Sequence, residues 1–293
     1  MTKLEGLIRS RVKAILAGLP RNEAFNWVDM VSIELTTQML ATLFDFPFED
    51  RRLLTYWSDV AVTAPEAGQT IDSWEKRSII LSECLEYFTR LWNERIKAEP
   101  RLDLISMMAH SPATRRMAPS EFLGNLILLI VGGNDTTRNS ITGGLLFMNQ
   151  YPSELLKLID NPQLVSSAVS EIIRYQMPIS HMRRTAAIDS TVGGKQIREG
   201  DNVVMWYISG NRDEEIFENA NNFVIDRKHV RQHVWFGFGI HRCLGRHLAQ
   251  LQLRVLWEEI LAEKLWFKVV GEPEPIASSF VHGYSALPVR FAA

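Results

Sequence analysis

The chain has 293 residues, enough for one large domain or two smaller ones, and its apolar content of 46% is ordinary for a globular protein. Its 32 basic and 34 acidic side chains give a net charge of −2, so the composition gives no reason to expect a nucleic acid or an anionic membrane as a partner. Two cysteines are too few for a disulfide framework, and neither a signal peptide nor a membrane-spanning run is found, which together indicate a cytoplasmic protein.

Helical periodicity dominates the first 176 residues. Apolar side chains recur three or four positions apart from Leu4 to Ile15, and Gly18 and Pro20 end this first helix. Asn26 can cap a second helix, which ends before Pro47, and a break is predicted at residues 64–68. Further helices are predicted over residues 52–62, 72–97, 103–109, 119–150, 152–159 and 162–176.

Short strands replace the long helices after Pro178. They are predicted at residues 184–186, 191–192, 203–208, 266–270 and 287–291, with an irregular stretch at 211–231 and one more helix after residue 245. This order predicts a mainly α fold with a small β region. We expect a single domain over 1–293, made of a helical part (1–176) and a mixed part (177–293).

The segment Trp235–Gly245 has an unusual composition. Two glycines lie inside an aromatic run, and His241 and Gly245 flank Cys243 at a distance of two residues on either side. A cysteine just before a helix is placed where the helix N-terminus favours its thiolate, and glycines let the backbone lie against a large planar partner. A buried, inert cysteine explains neither the glycines nor His241. The segment therefore predicts a loop in which Cys243 ligates the iron of a haem.

A second motif lies in the middle of the longest predicted helix. Gly132, Gly133, Asp135 and Thr136 are costly in an apolar helix interior on propensity alone. Glycines allow the close approach of a ligand, and a hydroxyl beside a carboxylate suits the delivery of protons. The alternative is a kinked helix in which the threonine bonds to carbonyls of its own helix.

The two motifs together resemble those of the cytochrome P450 superfamily. The Cys243 loop matches the haem-binding signature of that family at every defining position, and the Gly132–Thr137 segment resembles its oxygen-activation motif. The resemblance implies the cytochrome P450 fold, haem b with Cys243 as the axial iron ligand, and insertion of one atom of O2 into an unactivated C–H bond. It also implies that Thr136 hydrogen-bonds the bound oxygen and that Asp135 relays protons from solvent. The signature residues are Phe236, Gly239, His241, Cys243 and Gly245.

Three charged residues resemble a further family feature. Glu171 and Arg174 lie three apart on one predicted helix, as in the Glu-x-x-Arg pair of the family, and Arg227 is similar to its third member. Without the resemblance, such a pair is most often solvent-exposed and contributes little. The resemblance implies a buried glutamate between two arginines, which fixes the irregular segment to the helix.

The haem propionates need cationic partners. The resemblance implies His241 and Arg184, although the adjacent Arg183 is an alternative. Neighbouring residues of a strand point to opposite faces, so only one of these arginines is expected to reach the haem. A solvated arginine at the edge of a strand is an equally good interpretation for each of them.

No nucleotide-binding or flavin-binding signature is found, so electrons must come from outside the chain. A ferredoxin and its reductase are the expected donors. Arg242, Arg246 and His247 are candidates for their docking face, although a solvated helix face explains these residues equally well.

The expected substrate is an apolar molecule held mainly by burial. The stretches 32–41, 131–140 and 236–243 resemble the soluble bacterial alkane hydroxylases of the superfamily, which implies terminal hydroxylation of a medium-chain alkane or fatty acid. The alternatives are a terpenoid or steroid substrate, a haem-thiolate peroxygenase or isomerase, a haem sensor or electron carrier, and a non-catalytic haem-binding fragment. The residues expected to line the pocket are Leu128, Val131, Gly132 and Ile179, with a late turn at 279–287.

Family members are longer than this sequence at the N-terminal side. The resemblance therefore predicts a partial domain that lacks most of the family's sheet region, its substrate-capping loop and some propionate ligands.

Overall fold

The computed structural model describes residues 2–66 and 71–292. A π-helical segment, Val28–Ile33, leads directly into the second α-helix, and the Asn26 side chain accepts from the N–H of Val28 at 3.0 Å. The long helices end within about two residues of their predicted bounds, whereas part of the break predicted at 64–68 lies outside the described residues. The α-helices are α1 Thr2–Ala17, α2 Glu34–Phe44, α3 Arg52–Val62, α4 Trp74–Arg95, α5 Leu104–His110, α6 Pro119–Gln150, α7 Pro152–Asp160, α8 Val165–Gln176, α9 Tyr207–Gly210 and α10 Arg246–Ala262.

The strands among the described residues are short and antiparallel. They are β1 Phe25–Asn26, β2 His181–Thr185, β3 Ser190–Val192, β4 Lys195–Ile197, β5 Asn202–Trp206, β6 Phe267–Val269, β7 Glu274–Pro275, β8 Tyr284–Ala286 and β9 Pro288–Phe291. Strands β1, β9 and β6 form one sheet in that order, and the other ladders are β2–β5, β3–β4 and β7–β8. The predicted fold class, mainly α with a small β region, is confirmed.

The end of β5 was predicted wrongly, and β2 begins at His181 rather than at the predicted residue 184. Tyr207 and Ile208 were expected to continue β5, but they begin the short helix α9. The reason is pairing: the ladder with β2 ends where His181 faces Trp206, so the next residues have no strand to pair with. The N–H of Asn211 then donates to the carbonyl of Tyr207 at 2.9 Å and closes a helical turn.

Helix α6 runs through both apolar cores. One core packs the second half of α6 with α1, α8, α10 and the β1–β9–β6 sheet, and the other packs its first half with α2, α3, α4 and α5. The first core joins the predicted helical and mixed parts, as in the contact between the rings of Trp27 and Phe267 at 4.8 Å. In residues 2–66 and 71–292, no helix is both long enough and apolar enough to cross a membrane.

Candidate functional site

A tight loop carries Cys243, and two of its glycines have a left-handed backbone. Gly237 has φ +65° and Gly239 has φ +68°, a region that residues with a Cβ rarely occupy. The N–H of Cys243 donates to the carbonyl of Phe236 at 2.8 Å and closes the loop. The Phe236 ring is buried in the first core and anchors the loop there. The conformation of the loop therefore requires both glycines.

Large apolar side chains flank Cys243 and lie uncovered. Phe238 is 72% exposed, Ile240 is 97% exposed and Leu244 is 88% exposed, while Cys243 is half-buried. A Cβ at Gly239 would meet no atom within 4 Å, so the space beside the loop is open. A free thiol amid uncovered apolar surface fits a large, mostly apolar planar group that one thiolate ligates, and haem is such a group.

Two opposing effects act on the Cys243 thiol. Burial raises its pKa, whereas the backbone N–H groups of Gly245 and Arg246 and the charge of Arg246 act to lower it. The start of α10 thus favours the thiolate, as the sequence predicts, but does not by itself outweigh burial. A metal ion at the sulfur would stabilise the deprotonated form further.

The side chains predicted to bind the propionates are exposed. His241 ends a 3₁₀ turn in the loop, and Arg183 and Arg184 lie in β2. The register of β2 with β5 directs the two arginines to opposite faces of the ladder, as expected. Arg184 donates to the carbonyl of Arg183 at 2.9 Å, which is a local contact. That one of these two arginines binds a propionate stays a prediction.

The two glycines of the α6 motif have different surroundings. A Cβ at Gly132 would meet nothing within 4 Å, whereas one at Gly133 would lie 2.6 Å from Cδ2 of Leu40 in α2. Gly133 therefore allows α6 to pack closely against α2, and Gly132 keeps an open face of α6 clear. Leu128 lies exposed one turn before Gly132 on this open face, and Val131 is half-buried beside it.

Thr136 lies one turn after Gly132 on the same face of α6. Its hydroxyl donates to the carbonyl of Gly132 at 2.8 Å, which is the local bonding that the sequence left open as an alternative. The helix stays continuous from Pro119 to Gln150 despite this bond. Because a hydroxyl can accept as well as donate, Thr136 still has an acceptor for a ligand on the open face.

Asp135 is fully buried and tightly paired. It accepts hydrogen bonds from the Ser58 hydroxyl at 2.6 Å and from the Arg138 guanidinium at 2.5 Å. Arg138 also binds Asp59 at 2.9 Å, and the Asp59 side chain is 50% exposed. The buried carboxylate is therefore connected to solvent through Arg138 and Asp59.

Burial raises the pKa of Asp135 above its usual value, although Arg138 and Ser58 act to lower it. Burial likewise opposes the charge on Arg138, but the two carboxylates outweigh this effect and raise the Arg138 pKa. The two partners of Asp135, Ser58 and Arg138, and the further link to Asp59 were missed in the sequence. Arg138 could have been found from its spacing of three residues on the same helix, whereas Ser58 and Asp59 belong to α3 and gave no local signal.

Glu171 lies between Arg174 and Arg227, and all three side chains are buried. Arg174 binds Glu171 with two parallel hydrogen bonds of 2.7 Å, and Nε of Arg227 lies 3.2 Å from both carboxylate oxygens. The same carboxylate accepts from the N–H of Val224 at 2.9 Å. Backbone carbonyls of the irregular segment accept the remaining N–H donors of the two arginines; they belong to Asn211, Glu218, Asn219, Ala220 and Asn222. The network therefore connects α8 to this irregular segment.

Ile179 is buried rather than open to a pocket. It forms an isolated antiparallel bridge with Val281, and the N–H of Ser180 donates to the carbonyl of Phe280 at 3.0 Å. The segment after α8 and the late turn therefore contact each other directly. A role of Ile179 in lining the substrate pocket stays a prediction.

The chain matches the family model for cytochrome P450 over residues 22–281. Cytochrome P450-153 from Novosphingobium aromaticivorans is similar with a TM-score of 0.92 and 47% identity, over 100% of this chain and 71% of that chain. CYP153D17 from Sphingomonas sp. PAMC 26605 gives a TM-score of 0.92 and 49% identity, over 100% of this chain and 73% of that chain. Linalool 8-monooxygenase from Pseudomonas putida is 35% identical over 287 residues, which are 98% of this chain and 70% of that protein.

Proposed function

Because the chain belongs to the cytochrome P450 family, we propose that it is a haem-thiolate monooxygenase that hydroxylates the terminal carbon of an alkane or fatty acid. The observation that carries the proposal is the Cys243 loop, with its two left-handed glycines, its free thiol and its uncovered apolar surface. When bound, the haem supplies the activation of O2 that places one oxygen atom in a C–H bond of the substrate and releases the other as water.

In this proposal Cys243 would ligate the haem iron through its thiolate. The glycines of its loop would let the backbone lie close to the haem, and His241 with Arg184 or Arg183 would bind the propionates. Neutral, apolar neighbours such as Ile240 would keep water away from the haem. A thiolate ligand would donate electron density to the iron, which favours cleavage of the O–O bond over reversible binding of O2.

Asp135 and Thr136 are the proposed proton-delivering residues. The buried carboxyl of Asp135 holds a proton more readily than an exposed one, because its pKa is raised. Asp135 is connected to solvent because Arg138 binds both its carboxylate and that of the exposed Asp59; the guanidinium holds the carboxyl in place and does not itself give up a proton. The hydroxyl oxygen of Thr136, on the open face of α6, is free to accept a hydrogen bond and so orients the proton donor on that face.

The proposed substrate is an unbranched alkyl chain. Two features support it. The uncovered face of α6 around Leu128 and Gly132 is apolar, and the amino-acid sequences of the stretches 32–41, 131–140 and 236–243 resemble those of the alkane hydroxylases. A terpenoid is the second candidate, since a 35% identical relative is named linalool 8-monooxygenase. Both substrates would be held by burial rather than by charge.

The electron donor is proposed to be a ferredoxin served by its reductase. Arg242 and His247 are exposed beside the Cys243 loop, and such cationic side chains suit an acidic partner. The two cysteines are unpaired, which supports a reducing compartment such as the cytoplasm.

The test of the haem-thiolate assignment is spectroscopic. The protein is expressed with haem, reduced and exposed to carbon monoxide, and we expect the strong red shift of the Soret band that thiolate ligation produces. Cys243→His serves as a matched variant, because it keeps an iron ligand but removes the thiolate. A wild-type spectrum without the red shift, or a shift that persists in the variant, would contradict the role of Cys243.

The substrate is tested by product analysis. The holoenzyme is supplied with a ferredoxin, its reductase and alkanes or fatty acids of varied length, and we expect terminal alcohols. Oxidation only at internal carbons would reject the terminal hydroxylase assignment, and turnover of linalool in preference to every straight chain would favour the terpenoid alternative.

A further inference from the structure

Two buried amide side chains contact the segment 278–284, which overlaps the late turn expected at residues 279–287. The N–H of Tyr284 donates to Oδ1 of Asn139 in α6 at 3.1 Å. Nε2 of Gln176, the last residue of α8, donates to the carbonyl of His282 at 3.0 Å, and Nδ1 of His282 lies 2.7 Å from the carbonyl of Gln176. Side chains from two helices therefore hold His282 and Tyr284, the two residues on either side of Gly283.

Two glycines make room for these amides. A Cβ at Gly283 would lie 2.0 Å from Oδ1 of Asn139, and a Cβ at Gly143 would lie 2.0 Å from Oε1 of Gln176. Neither glycine has a positive φ, so the backbone does not require glycine at these positions. Each glycine lacks a side chain because an amide occupies that space. The two amides and the two glycines, Asn139 with Gly283 and Gln176 with Gly143, therefore form one packed contact.

We infer that Asn139 and Gln176 form a positioning clamp that fixes the 278–284 segment beside the substrate. This inference rests on the proposed function and on the expectation from the sequence that the late turn lines the substrate pocket. Asn139 lies three residues after Thr136, so the clamp sets the place of the turn relative to the residues that deliver protons. Neither amide touches the substrate; both act by holding the turn, and so decide which carbon of an alkyl chain is presented.

The first test compares Asn139→Ala with the wild type as haem-loaded enzymes. With n-octane as the probe, we expect the KM to rise by about 3- to 10-fold, the size of effect that one lost hydrogen bond produces. We also expect a larger share of internal alcohols, a kcat for total oxidation within about twofold, and an unchanged carbon monoxide spectrum. Hydrogen exchange of the peptide that contains Tyr284 should become faster.

A matched control is Asn149→Ala. Asn149 also belongs to α6, and its Oδ1 accepts from the N–H of Val269 at 3.0 Å, so the variant loses the same kind of bond at the other end of the helix. We expect faster exchange near Val269, with the KM and the product distribution of the wild type. Equal effects of Asn139→Ala and Asn149→Ala on KM and products would overturn the inference.

A second variant keeps the inference testable if Asn139→Ala does not fold. Gly283→Ala introduces a Cβ where the Asn139 amide lies, and we expect the same rise in KM and the same change of products. In the double variant Asn139→Ala with Gly283→Ala, the amide is gone, so the added methyl group should cause no further change. Additive effects of the two substitutions would contradict the clamp.

The outcomes separate this inference from the proposed function. If the wild type shows the thiolate spectrum and oxidises n-octane, but Asn139→Ala leaves KM, products and exchange near Tyr284 unchanged, the clamp is wrong and the function stands. If the wild type oxidises no alkane, the proposed substrate fails, and faster exchange near Tyr284 in Asn139→Ala still supports the clamp.

Discussion

At the scale of single residues, Asp135 has chemistry that depends on neighbours distant in sequence. An aspartate inside an apolar helix is unusual enough to be noticed from the sequence alone. Its hydrogen-bond partner Ser58 is 77 positions away along the chain, and only the packing of α3 against α6 brings the two together. That Asp135 is an unusual residue for its helix was therefore predictable. Its pairing with Ser58 and its connection through Arg138 to Asp59 were not.

Replacement of Asp135 by asparagine tests its proposed role. We expect turnover to fall by roughly 10²-fold, because a positioned acid typically contributes at least that much. In the wild type the protonated carboxyl is the donor, so the rate should fall as the pH rises through the raised pKa of Asp135. The variant has no titrating carboxyl at this position and should lose that dependence. The measurement is the initial rate of product formation against pH at saturating ferredoxin.

Asp29→Asn is the control for this experiment, because Asp29 also binds an arginine, Arg52, but both side chains are exposed. We expect its rate and its pH profile to match the wild type. A pH profile of Asp135→Asn that keeps the wild-type shape would remove Asp135 from proton delivery.

At the scale of elements, α6 shows which features of a helix can be predicted. Its bounds, Pro119 and Gln150, were predicted correctly, because proline favours the first turn of a helix and the apolar pattern ends before Pro152. The separate surroundings of Gly132 and Gly133 were not predictable. They depend on the position of Leu40, which belongs to another helix.

Alanine substitutions of the two glycines should have opposite effects on stability. Gly132→Ala should raise the free energy of unfolding by up to about 1 kcal/mol, since alanine favours a helix and the site is open. It should also weaken substrate binding, because the methyl group enters the open face. Gly133→Ala should lower stability by about 1 kcal/mol, because its Cβ would collide with the buried Leu40 and overpacking exceeds the gain in propensity. Urea unfolding and spectral titration with substrate measure the two quantities.

The combination of Gly133→Ala with Leu40→Ala separates the causes in this experiment. If the collision with Leu40 is the reason for the loss, the double variant should be no less stable than Leu40→Ala alone. A further loss of stability in the double variant would contradict that explanation.

Short elements were harder to predict than long ones. Strand β1 has two residues and exists because Phe25 and Asn26 face Val289 and Pro288 of β9. Strands β7 and β8 likewise depend on their pairing, and a register shift interrupts them. Local sequence carries little information about such pairings, since two or three residues are too few to show periodicity.

At the scale of the whole molecule, the Glu171 network connects helix α8 to the irregular segment at 211–231. No sequence pattern within either part predicts this connection. The order of Glu171, Arg174 and Arg227 was recognisable only through the resemblance to the family. The five backbone carbonyls that the two arginines bind could not be predicted, because they belong to a segment without regular structure. The family was thus recognisable from the resemblance of its motifs, while the contacts that hold the irregular segment were not predictable.

Removal of the central charge should destabilise the whole fold. Glu171→Gln leaves two buried arginines without their carboxylate, and we expect the free energy of unfolding to fall by about 3–5 kcal/mol. Asp29→Asn, which breaks the exposed pair with Arg52, should cost about 1 kcal/mol or less. Urea denaturation followed by circular dichroism measures both variants, and losses of equal size would contradict the special role of the buried network.

The pairing of β1 with β9 also constrains when the protein can fold during its synthesis. Asn26 accepts a hydrogen bond from the N–H of Leu287, which is 261 positions later. At a translation rate of about 5–20 residues per second, roughly 13–50 s pass between the synthesis of these two residues. Throughout that interval Phe25 and Trp27 lack the β6 and β9 residues that cover them in the folded protein. We therefore expect the nascent chain to depend on a chaperone that shields this segment until the sheet can close.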